Sequence, residues 1–237
     1  HIIKIDRSLN YGRHQIEKFL EKSMPYDNVL DIGAGAGIDL SIAQNIAPNC
    51  SLHALEYYPS NVSSLESQGI KVNSIDLEKD IFPYDNDFFD VIIANQILEH
   101  TKELFWIFHE ATRVLKVDGK LIIGVPNLAS LHNRILLLTG QHPTSIKSAS
   151  AHVRGFTRPD LLYFVNSCWP GGFKLIKWGG SNFYPFPPLI AKLLSSILPS
   201  MAWGLFMLFK KVGSYNNEFI QFPINENLET NYYTGED

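Results

Sequence analysis

Three glycines stand at every second position after a short apolar run that contains an acidic residue. The run is Val29–Ile32, with Asp31 inside it, and the glycines are Gly33, Gly35 and Gly37. Such a run predicts a buried strand, and the glycines predict a tight turn into a helix. Glycine has no Cβ, so a ligand can lie directly against the backbone. The start of the helix offers unpaired N–H groups, and the segment is therefore suited to binding a nucleotide.

Two more carboxylates follow the next two apolar runs. Glu56 ends the second run, where a carboxylate can accept hydrogen bonds from both ribose hydroxyls of a nucleotide. The adjacent Tyr57 can cover one face of an adenine ring. Asp76 follows the third run and can accept a hydrogen bond from the adenine amino group, while Leu77 offers an apolar face.

These motifs resemble those of the class I S-adenosylmethionine-dependent methyltransferases. The sequence Asp-x-Gly-x-Gly-x-Gly at 31–37 resembles their motif I, and residues 75–90 resemble the stretch that leads from the adenine contact into strand four. Residues 110–121 resemble the family block E-x-x-R-V-L-K-P-G-G-x-L, with Val-Asp at 117–118 in place of Pro-Gly. The resemblance covers residues 11–125 through specific motifs and residues 156–212 more loosely.

The resemblance implies S-adenosyl-L-methionine as cofactor and S-adenosyl-L-homocysteine as product. It also implies that Asn95 and Gln96, at the end of strand four, lie beside the methionine part of the cofactor, with Tyr11 near its carboxylate. The L-E-H motif at 98–100 and the P-N at 126–127 fit a subgroup that acts on small molecules. We therefore expect O-methylation of a sugar, lipid-linked or quinone-like acceptor. The full set of expected cofactor-binding residues is Asp31, Gly33, Gly35, Gly37, Glu56, Tyr57, Asp76, Leu77, Asn95, Gln96 and Tyr11.

Transfer to an oxygen requires alignment of the acceptor and removal of its proton. Histidine suits the second task because its unperturbed pKa lies near neutral pH. The candidate catalytic residues are His100, after strand four, and His152, in the long loop after strand five; Glu99 is the next candidate. Arg154 is a candidate for binding an anionic substrate. The acidic residues are dispersed and no His/Cys spacing suggests zinc, so we expect no metal site.

Alternating apolar runs and helical patterns predict a doubly wound, mostly parallel, seven-stranded Rossmann-like sheet with an antiparallel last strand. We expect a single domain over residues 1–212, with an N-terminal helix or lid within 1–25. Two acceptor-side insertions are expected at 140–156 and 181–199. Residues 213–237 read as a polar, irregular C-terminal tail.

The composition limits partners and location. The chain has 24 acidic and 20 basic residues, a net charge of −4 and a pI near 6.1, so no nucleic acid is expected as partner. Two cysteines and the lack of a visible signal peptide are compatible with the cytoplasm.

The apolar segment 186–209 contains three prolines and a lysine. We interpret it as a buried helix and strand, with contact to a membrane surface as the alternative. The oligomeric state is not predicted.

Three other functions compete with this interpretation. A nicotinamide-dependent oxidoreductase would also use Glu56, but its G-x-G-x-x-G/A fingerprint needs a small residue where Ile38 stands. A non-catalytic nucleotide-binding protein could keep the same fold. A nucleic-acid methyltransferase is disfavoured by the acidic balance and the lack of a basic stripe.

Overall fold

Seven strands form one sheet in the computed structural model, which describes residues 12–235. The strand order is β3-β2-β1-β4-β5-β7-β6. The strands are β1 Asn28–Ile32, β2 Ser51–Leu55, β3 Lys71–Asn73, β4 Phe89–Asn95, β5 Leu115–Pro126, β6 Phe173–Ser181 and β7 Gly204–Lys211. The helices are α1 Arg13–Ser23, α2 Ile38–Ile46, α3 Pro59–Ser67, α4 Leu104–Val114, α5 Leu131–Leu138, α6 Arg158–Cys168, α7 Pro188–Ile197 and α8 Glu218–Asn225.

The pairing confirms the predicted fold class. Strands β1 to β5 are parallel, whereas β7 lies between β5 and β6 and runs antiparallel to both. The strand order reverses between β1 and β4, because β1 has β2 on one side and β4 on the other. In open α/β sheets, ligands bind beyond the carboxyl ends of the strands at such a reversal. The glycine motif begins where β1 ends.

Each face of the sheet is covered by its own apolar core. One core contains buried residues of α1 and α2, among them Ile16, Phe19 and Leu40. The opposite core contains residues of α4 and α6, among them Phe108 and Leu161. Fully burying such a side chain stabilises the fold by about 1.5–3 kcal/mol. The described part of the predicted N-terminal helix is therefore fixed in the core, while Tyr11 lies outside the described residues.

The predicted irregular tail after residue 213 is wrong in part. Residues 218–225 form α8, whose Phe219 is fully buried in the core that α4 and α6 share. The local pattern did not show this helix, because it includes Pro223, a residue that normally ends a helix. Packing of Phe219 against Phe108 and Phe164 supplies the stabilisation that local propensity lacks.

The family-like E-x-x-R block fixes the loop before β4. Arg113 donates two hydrogen bonds to Glu110, at 2.7 and 2.6 Å, and also binds the carbonyl oxygens of Phe82 and Tyr84. Glu110 in turn accepts a hydrogen bond from the Phe82 N–H. A bidentate Arg–carboxylate pair is geometrically specific, so this pair holds the loop that links the third and fourth strands.

The apolar segment 186–209 divides into α7 and β7. This agrees with the interpretation of the segment as a helix followed by a strand, but the expectation of a buried helix is wrong. Strand β7 is buried, whereas most residues of α7 are exposed, because only one side of the helix packs on the domain. Among residues 12–235, no helix has both the length and the apolar character needed to cross a bilayer.

Candidate functional site

A cleft of about 560 Å³ opens at the carboxyl edge of the sheet, where the strand order reverses. It brings together six of the eleven expected cofactor-binding residues: Gly33, Gly35, Glu56, Tyr57, Asp76 and Leu77. The remaining lining residues are Leu55, Tyr58, Asn61, Ile75, Glu78, Ile97, His100 and Thr101.

The glycine loop leaves space for a ligand at Gly35. Gly33, Gly35 and Gly37 all have positive φ angles, of 72°, 53° and 75°. A Cβ at Gly35 would meet no protein atom within 4 Å, whereas one at Gly33 would contact Ile97 and one at Gly37 would contact Leu65. Gly35 is therefore the position where the backbone faces the open cleft, while Gly37 is needed for packing and as the N-cap of α2.

Glu56 is buried at the end of β2 and organises the loops around it. Its two carboxylate oxygens accept hydrogen bonds from the N–H groups of Gly35, Tyr57 and Tyr58, at 2.8 to 2.9 Å. A carboxylate offers about four acceptor positions, so Glu56 can still accept from a ligand hydroxyl. It thus holds the glycine loop and lines the cleft at the same time.

Asp76 and Leu77, which were expected to contact an adenine ring, line the cleft. Both are half-buried, and the exposed Tyr57 lines the same cleft. The Asp76 carboxylate accepts a hydrogen bond from the Glu78 N–H at 3.0 Å. Glu78 accepts hydrogen bonds from the N–H groups of Lys102 and Glu103 and so closes this end of the cleft.

Asp31, Asn95 and Gln96 do not line the cleft. Asp31 is buried, and its pKa is raised well above the usual range by that burial, by Asp39 and by Glu56, against the lowering effect of Arg13. Asn95 donates a hydrogen bond of 2.8 Å to Asp39, whose carboxylate lies 3.3 Å from Arg13.

Two carboxylates of this polar group flank the glycine loop along the chain, since Asp31 precedes it and Asp39 follows it. Burial raises the pKa of Asp39, while the bond from Asn95 and the charge of Arg13 oppose that effect. Gln96 adopts a positive φ of 57°, and its N–H bonds to Gly124. The arrangement connects α1, α2 and β4 behind the cleft, so a direct cofactor role for Asp31, Asn95 and Gln96 stays a prediction.

The two candidate catalytic histidines lie side by side. Their rings are edge to face, with centroids 4.8 Å apart. His100 lines the cleft, whereas His152 stands behind it. The Nδ1 atom of His100 is 3.2 Å from the carbonyl oxygen of Ala151, and that of His152 is 2.8 Å from the carbonyl oxygen of Ser145. A carbonyl only accepts, so each Nδ1 carries the proton and each Nε2 keeps its lone pair in the neutral ring.

Glu99 anchors the loop that carries His152. Its backbone oxygen accepts hydrogen bonds from the N–H groups of Val153 and Arg154, at 2.8 and 3.3 Å. The residue is 1% exposed, and burial raises the pKa of its carboxyl group to about 7. The Oε1 atom lies 4.0 Å from Nε2 of His100, and Oε2 has no hydrogen-bond partner within the described part of the chain.

Arg154 lies outside the cofactor cleft. Its guanidinium donates to the Lys102 carbonyl oxygen at 2.9 Å, and its side chain lines a separate cleft together with Asp160 and Phe164. Binding of a substrate anion by Arg154 at the cofactor cleft therefore has no support in this geometry. The residue instead helps to hold the 140–156 loop against the segment after β4.

Sequence reasoning missed several residues of the cleft wall. Asn61 lies in the first turn of α3, and its position could have been inferred from Pro59 at the start of that helix. Ile97 closes the space beside Gly33. No local pattern marks Ile97, because its contact with Gly33 joins segments that are distant along the chain.

Comparison with known proteins agrees with this geometry. Residues 30–123, which contain the glycine loop, Glu56, Asp76 and the His100 turn, match the family model described as a methyltransferase domain. This match covers less than half of the chain, and the matched region is similar to a methyltransferase domain.

Two curated relatives match 45% of the chain. An uncharacterized protein of Methanocaldococcus jannaschii is 30% identical over 111 residues, and one from transposon TN4556 of Streptomyces fradiae is 26% identical over 111 residues. These matches span 48% and 32% of the relatives' own lengths. The chain thus matches half or less of either relative.

Solved structures share the fold of the methyltransferase domain. A methyltransferase from Haloferax volcanii, in complex with the Trm112 activator, has a TM-score of 0.62 at 13% identity, covering 87% of this chain and 92% of its own. A methyltransferase from Archaeoglobus fulgidus has a TM-score of 0.57 at 15% identity, with coverages of 86% and 96%. The plantazolicin methyltransferase BpumL, with S-adenosylhomocysteine bound, has a TM-score of 0.59 at 18% identity, with coverages of 87% and 86%.

The residues of the cleft fit S-adenosylmethionine. The open space above Gly35 admits a ligand against the backbone, and Glu56 keeps acceptor capacity for a hydroxyl group. Asp76 and Leu77 offer one acceptor and one apolar face to a base, next to the ring of Tyr57.

Proposed function

We propose that the methyltransferase domain transfers a methyl group from S-adenosylmethionine to a hydroxyl group of a small molecule. The observation that carries the proposal is the cleft that joins the Gly35 backbone, Glu56 and Asp76 at one end to His100 at its wall. S-adenosylmethionine, when bound, supplies a methyl group already activated by a positively charged sulfur. The chain itself must bind the cofactor, align the acceptor hydroxyl with the methyl group and accept the proton of that hydroxyl.

Glu56, Asp76 and Leu77 are proposed to hold the adenosyl part. Glu56 accepts from ribose hydroxyls, while Asp76 accepts from the adenine amino group. Because Glu56 also accepts from the Gly35 N–H, the same carboxylate fixes the glycine loop in the shape that the ligand needs. Binding and loop geometry are thereby coupled.

His100 is proposed to accept the proton of the acceptor hydroxyl. It is the one of the two candidate histidines that lines the cleft, and its Nε2 keeps a lone pair because Nδ1 donates to Ala151. His152 packs against its ring and restricts its orientation. A hydroxyl acceptor fits this arrangement better than an amine, because a neutral amine attacks without first losing a proton.

Among the acceptors considered, a lipid-linked one is supported by the surface of α7. Its side chains Leu189, Ile190, Leu193 and Ile197 lie on one face and are all exposed, with Leu189 at 87%. Helix α7 follows the end of β6 and precedes β7, which places it at the same sheet edge as the cleft. An exposed apolar helix face of this kind suits the interface of a bilayer.

The charge around α7 favours an anionic lipid surface. Lys18 and Lys192 line a cleft together with Leu189 and Leu193. Basic groups beside inserted apolar groups strengthen binding to anionic lipids. A free, water-soluble sugar would make no use of this surface.

Calorimetry tests the proposed function. Titration of the full chain with S-adenosylhomocysteine should give saturable binding near one ligand per chain, and NADH should give none. Turnover of S-adenosylmethionine with a panel of hydroxyl acceptors, some of them lipid-linked, should follow. NADH binding without S-adenosylhomocysteine binding would favour an oxidoreductase, and cofactor binding without turnover on any acceptor would favour a non-catalytic protein.

A further inference from the structure

The loop after α5 brings His152 close to Glu99 and His100 at the wall of the cleft. One ligand-type atom from each of Glu99, His100 and His152 lies within 4.8 Å of the others. Glu99 and His100 follow β4, whereas His152 arrives from the 140–156 loop. No spacing in the sequence indicated a metal site, because His152 is distant along the chain from Glu99 and His100.

Each of the two imidazole rings keeps one nitrogen lone pair that can bind a cation. The Nδ1 atoms of His100 and His152 are occupied by the carbonyl oxygens of Ala151 and Ser145, so both Nε2 lone pairs remain available. Metal-binding histidines characteristically donate their second N–H to a carbonyl or carboxylate, which fixes the ring. Both rings therefore have the outer hydrogen bonds that a metal site needs.

Glu99 provides the negative charge. The residue is 1% exposed, and its Oε2 is buried without a hydrogen-bond partner in the described residues. Buried polar atoms without partners are rare in folded proteins and call for an explanation. A cation held between this carboxylate and the two imidazoles would satisfy the buried oxygen.

We propose that Glu99, His100 and His152 form a binding site for one divalent first-row transition-metal ion, such as Zn²⁺. Two imidazole nitrogens and one carboxylate oxygen are a known three-ligand set for catalytic zinc, and they leave a position open for water or substrate. Ligand atoms around tetrahedral zinc stand about 3.4 Å apart at the usual bond lengths. The side chains would therefore close on the ion by about 1 Å.

The open position would face the cleft, because His100 lines the cleft wall. On the basis of the proposed function, the ion would bind the acceptor oxygen there and promote loss of its proton. The proton would then leave to solvent or to a metal-bound hydroxide. The acceptor oxygen would bond to the methyl carbon as the bond from that carbon to the cofactor sulfur breaks, and S-adenosylhomocysteine would be the leaving group. The role of His100 would change from accepting a proton to holding the ion.

Cobalt provides a direct probe that does not depend on activity. The full chain, freed of metal with a chelator and dialysed, is titrated with Co²⁺ while the visible absorption of the ion is recorded. We expect one Co²⁺ per chain, with the intense bands of a four- or five-coordinate ion, and displacement of Co²⁺ by Zn²⁺. His152→Ala and Glu99→Gln should each weaken binding at least 10-fold.

His142→Ala is the matched control, because His142 is an exposed histidine of the same loop. It should bind Co²⁺ like the parent chain. Circular dichroism and S-adenosylhomocysteine binding of each variant report whether the fold and the cofactor cleft persist. Parent-like Co²⁺ binding by a folded His152→Ala variant, or no saturable binding by the parent, would overturn the metal proposal.

The two proposals fail separately. A chain that binds S-adenosylhomocysteine but no Co²⁺ would leave the proposed function in place and remove the metal. If the chain binds Co²⁺ at this site but no S-adenosylhomocysteine, the metal site stands and the proposed function is rejected.

Discussion

The imidazole rings of His100 and His152 meet edge to face with their centroids 4.8 Å apart. The contact depends on the backbone of Glu99, whose carbonyl oxygen accepts hydrogen bonds from the two residues after His152. These two hydrogen bonds attach the 140–156 loop to the turn that follows β4. Whatever His100 does in the cleft, its ring position is set in part by His152.

The first prediction concerns these two histidines. With an acceptor found in the turnover panel, His100→Ala should lower the rate by about 10²–10⁴-fold, the range for loss of a general base. His152→Ala should lower it less if its role is positioning. The affinity for S-adenosylhomocysteine should stay within a few-fold in both variants, and His142→Ala should behave as the parent.

Rates measured across pH distinguish the roles. Loss of the base should remove the limb of the profile that reports its deprotonation, whereas loss of a positioning residue should lower the rate and keep that limb. If both variants retain the full rate and the parent profile, neither histidine is the base, and Glu99 becomes the next candidate.

The second prediction concerns the glycine loop. Gly35→Val should abolish detectable S-adenosylhomocysteine binding, because the new side chain would occupy the space above the loop that no protein atom fills. Gly69→Val is the matched control, since Gly69 also has a positive φ and no atom near its Cβ position but does not line the cleft.

Both substitutions impose left-handed backbone strain of about 1–2 kcal/mol. Thermal unfolding should therefore shift similarly in the two variants, and calorimetry should show lost binding in Gly35→Val alone. Equal cofactor affinity in both would show that the cleft is not the cofactor site.

The third prediction concerns Glu56. Glu56→Gln should weaken S-adenosylhomocysteine binding by roughly 1.5–3 kcal/mol, the range for hydrogen bonds to a charged group. We also expect lower thermal stability, because one amide oxygen cannot serve all the N–H groups that the buried carboxylate now binds.

Glu66→Gln, at an exposed position of α3, provides the control for removal of one negative charge. It should change neither the dissociation constant nor the unfolding temperature appreciably. An unchanged dissociation constant in Glu56→Gln would exclude the proposed ribose contact.

The fourth prediction is a pH dependence of stability that arises at His53. This side chain is buried on β2 among Tyr84, Phe88 and Phe89, and burial lowers its pKa to about 4, with a smaller contribution from Lys71. The unfolded chain binds the proton more readily, since an unperturbed histidine has a pKa of about 6.5. The free energy of unfolding should therefore fall as pH falls from 6.5 to 4.

His53→Leu should remove this contribution, which amounts to at most roughly 3 kcal/mol. Urea unfolding of both proteins at pH 7.5, 6 and 5 measures the effect as a difference between them. The variant should gain stability relative to the parent as the pH falls. A difference that stays constant over this range would contradict the buried, neutral state of His53.

The fifth prediction concerns the exposed face of α7. The double variant Leu189→Ser/Leu193→Ser should bind vesicles of phosphatidylglycerol at least several-fold more weakly than the parent in a sedimentation assay. The parent should prefer these anionic vesicles to phosphatidylcholine, and salt should weaken its binding. Ile81→Ser, which changes an exposed apolar residue elsewhere, should have no effect. The membrane contact would be refuted if the parent bound both kinds of vesicle equally and the double variant bound them as the parent does.

The sequence by itself determined the sheet and six of the residues that line the cleft. The apolar run at 29–32 lies in β1, and the glycines after it form the turn into α2. The start of α6 also has a local cause, since the Thr157 side chain accepts a hydrogen bond from the Asp160 N–H. These signals are local: they depend on side chains within a few residues of one another.

Only the tertiary structure decided how the acceptor side is built. The proximity of His152 to His100 requires the long loop to fold back onto the turn after β4, and nothing near either residue in sequence indicates it. The same holds for Arg154, which turns away from the cofactor cleft, and for α8, which Phe219 fixes by packing across α4 and α6. Such contacts form between distant segments, so their free energy comes from burial and hydrogen bonding that no local pattern records.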